Sequence, residues 1–281
     1  MIDSVVPSWA ARLLRSPLGL FGGMLLAFLA FLVAFGPLLA PYDPETFHVT
    51  KRLLGPSREF WFGTDNFGRD VLSRMLHGVR ATVLFGVLAT AIGTAVGATI
   101  GLMAGFAGGR IDSLIMRAVD VFLAIPSLIL ILLIVTVLGG STPNAIAAVA
   151  LTFAPSLARI TRGSVLAVRE REFVQACVAR GERKSYIMFR EILPVVMAPV
   201  LIEASIRVGF AIMLGATLSY LGLGAQPPSS DWGLLIANAR EFMFRNPWLV
   251  FWPSLGIALA AIGFNMFGDG LRDAMNLRAS R

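Results

Sequence analysis

The sequence is poor in the residues that soluble enzymes use for chemistry. Cys177 is the only cysteine, which excludes a disulfide framework and leaves it the role of a small helix residue. His48 and His77 stand apart, without metal-ligand spacing, so no metal site is expected. The only lysines are Lys51 and Lys184, and neither follows the glycines of a G-x-x-x-x-G-K-[ST] loop, so this chain has no P-loop with which to hydrolyse ATP. Both histidines fall outside the apolar runs and no Gly-x-Ser-x-Gly elbow accompanies them, which argues against a membrane-embedded hydrolase.

Charge is also scarce. Charged residues make up 15% of the 281 and hydrophobic ones 56%, against roughly 25% charged in an ordinary soluble domain. Mean hydropathy is +0.75. What is present in quantity is uncharged chain: 27 residues between Arg15 and Asp43, 29 between Arg80 and Arg110, 38 between Asp120 and Arg159, and 23 between Arg245 and Asp269. Each exceeds the roughly 20 apolar residues that cross a bilayer as a helix. The longest run contains the turn-type cluster LGGSTPN at 138–144, which divides it in two, and a further span follows Pro194. The reading is an all-α integral membrane protein with six transmembrane helices, near 18–40, 80–106, 113–138, 143–166, 194–219 and 247–268. No ten-residue alternation suggests a barrel. The first apolar stretch is too long for a signal peptide and lacks a small-x-small cleavage site, so it reads as a retained helix.

Fifteen basic residues fall in one set of connecting segments and eight in the other, which orients both termini, including Arg278 and Arg281, to the cytoplasm. The net charge of +7 is then a topology signal and a set of lipid headgroup contacts, with no nucleic-acid partner implied. The outer segment Pro41–Gly78 is turn-rich, Trp61 and Phe62 suit the headgroup level, and RDVLSRMLHGVR reads as a short amphipathic helix leading into the second span. This divides the chain into 1–77, a first helix with an extracytoplasmic segment, and 78–281, a five-helix core.

Gly93, Gly97, Gly101, Gly105 and Gly109 recur every fourth residue, giving the second span a bare stripe for close helix packing. Glu203 and Arg207 lie four apart inside the fifth span. An isolated charge at mid-bilayer costs about 2.5–3.5 kcal/mol on insertion scales, so the two are expected to pair, either structurally or beside a translocation route. Arg117 and Asp120 read as a second, interfacial pair.

Between the fourth and fifth spans, 170–193 forms a charged insert. Glu172, Phe173, Gln175, Ala176, Cys177 and Arg180 belong to a first helix, with Phe173, Ala176 and Cys177 on one face; Gly181 permits a sharp corner; Arg183, Tyr186, Phe189, Arg190 and Leu193 belong to a second piece that ends where Pro194 opens the next span. An apolar stripe in a charged frame suits docking to a cytoplasmic partner.

QACVARG at 175–181 resembles the EAA motif of permease subunits in binding-protein-dependent ABC importers, with Gln175 where the motif usually has Glu. FGTDNFGRDVLSRMLHGVR (62–80), LSYLGLGAQPPSSDWGLLIANAR (218–240) and FNMFGDGLRDAM (264–275) are similar to the C-type permease of dipeptide, oligopeptide and nickel importers, and the likeness runs nearly the whole chain in order. The resemblance implies a permease in a bacterial inner membrane that works with a homologous second permease, two ATP-binding cassette subunits holding ATP and Mg, and an extracytoplasmic solute-binding protein. It implies that the elbow sits in an ATPase groove, with Arg180, Arg183 and Arg190 supplying charge complementarity. Gln226 to Trp232 are candidates to meet the binding protein. The competing reading is an ion-gradient-driven secondary transporter, which would want inverted repeats the sequence does not display.

Overall fold

The structure, a computed structural model, describes residues 12, 13 and 15–276. Arg278 and Arg281, counted above for orientation, lie outside the described residues. The described residues form nine α-helices and no named strand; a single isolated bridge pairs Thr64 with Asp70.

Helix α1 (Pro17–Leu39) opens with Pro17 in the first turn, where a missing N–H costs nothing, and the Ser16 hydroxyl caps the Gly19 N–H. Helix α2 (Val71–Ala107) is 37 residues long, about 55 Å at 1.5 Å per residue. Asp70 caps it by accepting from the Ser73 N–H. The amphipathic helix expected before the second span and the span itself are therefore one continuous helix, because no glycine–proline break or competing cap separates them. Gly108 and Gly109, both at positive φ (+65° and +54°), end α2 and start α3 (Gly109–Ala124). Gly109 thus leaves the glycine stripe, and four members remain on α2.

The expected third span is broken. Helices α3 and α4 (Ser127–Leu138) meet at 91°. Pro126 gives no N–H to the ladder, and Ile125 before it is extended (φ −89°, ψ 129°), as a residue preceding proline prefers. The bent pair counts as one crossing only if both halves contribute, giving six with α1, α2, α5, α7 and α9.

Helix α5 (Thr142–Val168) is capped by Ser141. After α6 (Glu172–Ala179), helix α7 runs unbroken from Lys184 to Tyr220, with a π-helical stretch at Ile187–Ile192. The expected break at Pro194 does not occur, since the widened turn absorbs the proline. A short helix, α8 (Trp232–Ala239), precedes α9 (Trp248–Asn276).

Packing radiates from α2. A Cβ built on Gly93 would lie 2.8 Å from the Ala150 carbonyl oxygen, on Gly97 2.5 Å from that of Ala154, and on Gly105 2.8 Å from the Val165 Cβ; one on Gly101 would strike the Ala158 carbonyl. All are on α5, so the bare stripe meets a neighbour within the same bundle. One core joins Phe85 and Ala89 of α2, Ile131 and Val135 of α4, and Phe153 and Leu157 of α5. Another joins Leu29, Val79, Val83, Val208, Ile212 and Trp232 across α1, α2, α7 and α8.

Candidate functional site

Three groups of side chains are candidates for a functional role, beginning with the corner between α6 and α7. Gly181 has φ +74°. Its N–H donates to the Val178 carbonyl (3.0 Å) and the Glu182 N–H to the Cys177 carbonyl (3.1 Å), the paired bonds of a Schellman stop. No atom lies within 4 Å of a Cβ built on Gly181, so glycine is required by the backbone and not by crowding. Glu172 occupies the first turn of α6, where a carboxylate suits the helix dipole.

One side of this elbow is buried. Val174 and Cys177 pack with Leu102, Val165, Ile187 and Ile192 at the ends of α2, α5 and α7. Ile187 and Ile192 are five residues apart, and the π-turn stacks them on one inward line. Cys177 is only 2% exposed, which corrects its assignment to the outward face: the turn of α6 that holds Val174 inward carries Cys177 with it. Phe173, Gln175, Ala176, Tyr186, Phe189 and Arg190 remain at the surface. Gln175 donates to the Glu170 carbonyl (3.1 Å), and Arg180 lies 3.1 Å from the Cys177 sulfur and 3.7 Å from Glu182. Arg183 precedes α7 as its N-cap.

Sequence reasoning missed the fasteners behind the elbow. Arg162 of α5 forms a two-point contact with Asp112 of α3 (2.5 and 2.6 Å). Arg169 donates to the Gly105 carbonyl in the last turn of α2 (3.0 Å), where a cation meets the negative end of the helix dipole. Asp120 pairs with Arg159 of α5 (2.6 Å) and not with Arg117, because α5 lies alongside and offers a direct partner. Only the arginine clustering at 159–171 pointed to this region.

The second group lies at the other end of the bundle, where two motif blocks separated by some 150 residues converge. Asp65 accepts from Arg69 Nε (2.8 Å) and Arg74 Nη1 (2.9 Å), and Arg74 Nη2 reaches the Ser229 carbonyl (3.3 Å). Thr82 donates to Asp231 (2.8 Å) and accepts from the Trp232 N–H (3.0 Å), while Trp232 Nε1 donates to the Met75 carbonyl. Asp231 also caps α8 through the Leu234 N–H. Asp231 and Trp232 are therefore internal fasteners, and of the 226–232 stretch only the part before them faces outward. Phe62 stacks on Trp252 at 4.1 Å, while Trp61 is exposed.

The third group is the intramembrane pair. Arg207 Nη2 stands 2.8 Å from Glu203 Oε1, and the guanidinium lies 5.2 Å from the centre of the Phe153 ring on α5. Arg207 Nε is buried without an acceptor.

Known proteins similar to this chain show its family. Residues 97–281 match the family described as binding-protein-dependent transport system inner membrane component, and residues 8–56 match the N-terminal TM domain of oligopeptide transport permease C. The chain is 39% identical over 264 residues to the probable D,D-dipeptide transport system permease protein of Escherichia coli K12, covering 94% of this chain and 89% of that one. It is 40% identical over 265 residues to a dipeptide transport system permease protein of Alkalihalophilus pseudofirmus (94% and 87% covered), and 37% identical over 266 to a glutathione transport system permease protein of Pectobacterium atrosepticum (94% and 88%). In fold it is similar to an inward-facing methionine ABC transporter, MetNI, at TM-score 0.56 and 17% identity, covering 72% of this chain and 96% of that one. A multi-pass helical bundle matched along two thirds of its length by one family model, and along nearly all of it by curated permeases, belongs to the inner membrane components of binding-protein-dependent transport systems.

Proposed function

We propose that this chain is one of two permease subunits in an importer of dipeptides, oligopeptides or similar small solutes, driven by two ATPase subunits that hold ATP and Mg and grip the elbow. A binding protein delivers solute on the outer side, and both termini face the cytoplasm. That relatives are dipeptide and glutathione permeases by name supports the solute class.

The observation that carries the coupling role is the elbow's split personality. Its inner row is sealed into the ends of α2, α5 and α7, while Phe173, Tyr186 and Phe189 stand exposed in a frame of arginines and glutamates. Aromatic anchors amid charge suit a groove on a folded partner. Because α7 continues without a joint from Lys184 to Tyr220, displacement of the elbow moves a rod of about 55 Å that carries Glu203 and Arg207. ATP binding in the partner then biases one of two bundle arrangements of similar energy. Glu203 and Arg207 line the route, since the face of α7 that bears them is left open between α5 and α9.

Gly181→Val tests this reading. With no atoms nearby to clash, valine acts only by straining a positive φ, at about 1–3 kcal/mol. The assembled variant should insert at wild-type levels, yet lose the stimulation of ATP hydrolysis by loaded binding protein and take up solute at least tenfold more slowly. Wild-type stimulation and uptake would overturn the lever.

A further inference from the structure

Around residues 206–212 three elements cover three sides of α7, and nearer Tyr220 α8 joins them where Gly233 meets Ala216. Ile206 and Gly209 meet α9: a Cβ on Gly209 would lie 3.0 Å from the Ala261 carbonyl, and one on Gly268 would lie 2.6 Å from Ile206. Val208 and Ile212 meet Gly86 of α2. Ala211 joins the core shared with α5, and Arg207 rests on Phe153. At 3.6 residues per turn the side left over carries Glu203, Phe210 and Thr217, with Arg207 and Met213 at its margins. Phe210 is 52% exposed and Met213 49%. Towards the outer end, Met213, Thr217 and Tyr220 line a groove of about 380 Å³ with Ser254 and Ile257 of α9.

The ion pair on this side is incomplete. Arg207 gives Glu203 one contact, not the parallel two-point contact a guanidinium can make, and its buried Nε has no acceptor. Phe153 holds the guanidinium plane from the far side. The arginine is thus oriented, with donors to spare, beside a carboxylate that a competing anion can displace. Side-chain exposure is 20% for Arg207 and 25% for Glu203, so both are reachable from the open side.

The backbone spacing suits one class of solute once the pair opens. The charged ends now meet at 2.8 Å, but residues four apart on a helix are rooted about 6 Å apart along its axis, so side chains that part can hold two charges at about that separation. The amino nitrogen and carboxylate of a dipeptide lie a similar 5–7 Å apart, from one Cα–Cα step of 3.8 Å plus the flanking N–Cα and Cα–C bonds. A zwitterion of that length exchanges one ion pair for two, its carboxylate on Arg207 and its ammonium on Glu203, leaving no charge unpaired in a medium where that is costly. A neutral solute that parts the pair leaves both charges unpaired, and a singly charged one leaves one of them so.

Resting on the reading of α7 as part of the route, we propose that Glu203 and Arg207 form a transient, low-affinity site for short zwitterions, presenting Glu203 to the ammonium and Arg207 to the carboxylate. Low affinity is what a conducting site requires, since solute must leave it as readily as it arrives.

The test uses the complete transporter in vesicles, with alanyl-alanine, its C-terminal amide and its N-acetyl form as probes. Uptake of each is divided by the binding protein's separately measured affinity. The wild type should favour the free dipeptide at least tenfold over either blocked form. Glu203→Gln combined with Arg207→Gln, which keeps a neutral hydrogen-bonding pair, should bring all three within about twofold. Arg207→Lys keeps the charge but loses the guanidinium fork, and should cut the preference over the amide at least threefold even if the double variant fails to assemble. Corrected preferences unchanged in both variants would make the pair purely structural and overturn the site. Transport of none of the three by the wild type would instead overturn the peptide reading itself.

Discussion

Gly97 shows how much a single missing side chain decides. A Cβ there would approach the Ala154 carbonyl oxygen at 2.5 Å and the Leu157 Cβ at 2.7 Å, with no flexible side-chain end to give way. Gly97→Val should therefore push α2 off α5, at a cost of about 1–3 kcal/mol or more for forced overpacking. In a thermal scan of the purified chain in detergent, the variant should unfold several degrees below wild type. Gly163→Ala should be neutral or slightly stabilising, because nothing lies within 4 Å of its Cβ position and alanine is the better helix former. Equal loss from both would mean that close approach of α2 to α5 is not what makes glycine necessary at position 97. The glycine period was legible in the sequence, but its partner was not named, although the signal was present: Ala150, Ala154 and Ala158 repeat the same four-residue step on α5 and face Gly93, Gly97 and Gly101. Small residues on two helices reveal a stripe each, and only the fold says which stripes meet.

Elements were legible where length and apolarity sufficed, as in α1, α5 and α9, and less so where a break had to be located. Pro126 ends α3, yet Pro37, Pro155, Pro199 and Pro253 sit inside continuous helices. In a membrane bundle neighbouring helices can re-satisfy the carbonyl a proline frees, so its presence alone does not mark a boundary. The π-turn is a second case, since nothing in IMFREI announces that Ile187 and Ile192 will share a face. Helix α8 was missed for a different reason: eight residues give no period to read, and its existence depends on a cap and a distant partner. Asp231 supplies that cap and binds Thr82 of α2. Asp231→Ala should lower stability by about 1–3 kcal/mol, combining a lost cap with a buried hydroxyl deprived of its acceptor. Asp231→Asn, which can still accept, should lose less. In chemical denaturation the double variant Asp231→Ala with Thr82→Val should cost less than the two singles added together, and strict additivity would show that the two side chains act independently.

At the scale of the whole molecule, the arginine asymmetry and the elbow make one statement about orientation, and they can be checked together. The two ends of the bundle differ in kind. One has Trp61, Phe62, Trp248 and Trp252 around the Asp65–Arg74 and Thr82–Asp231 fasteners, and the other has the elbow backed by the Arg162–Asp112 and Arg169–Gly105 contacts. If the lever is to be driven by ATP, the second end has to meet the cytoplasm. The lone buried cysteine makes the measurement clean, because Cys177→Ala removes the only native thiol at a site that accepts a small apolar side chain. Into that background Phe244→Cys places a thiol at a position 94% exposed beside α8, and Phe189→Cys places one at a position 46% exposed on the elbow. In right-side-out vesicles a membrane-impermeant maleimide should label position 244 at once and position 189 only after permeabilisation. With the ATPase subunits bound, position 189 should be protected even then if their groove takes the elbow as proposed. Labelling of 189 from outside would invert the bundle and remove the connection between nucleotide and route. Full labelling of 189 in the assembled, permeabilised complex would leave the orientation standing and place the grip of the motor elsewhere on this chain.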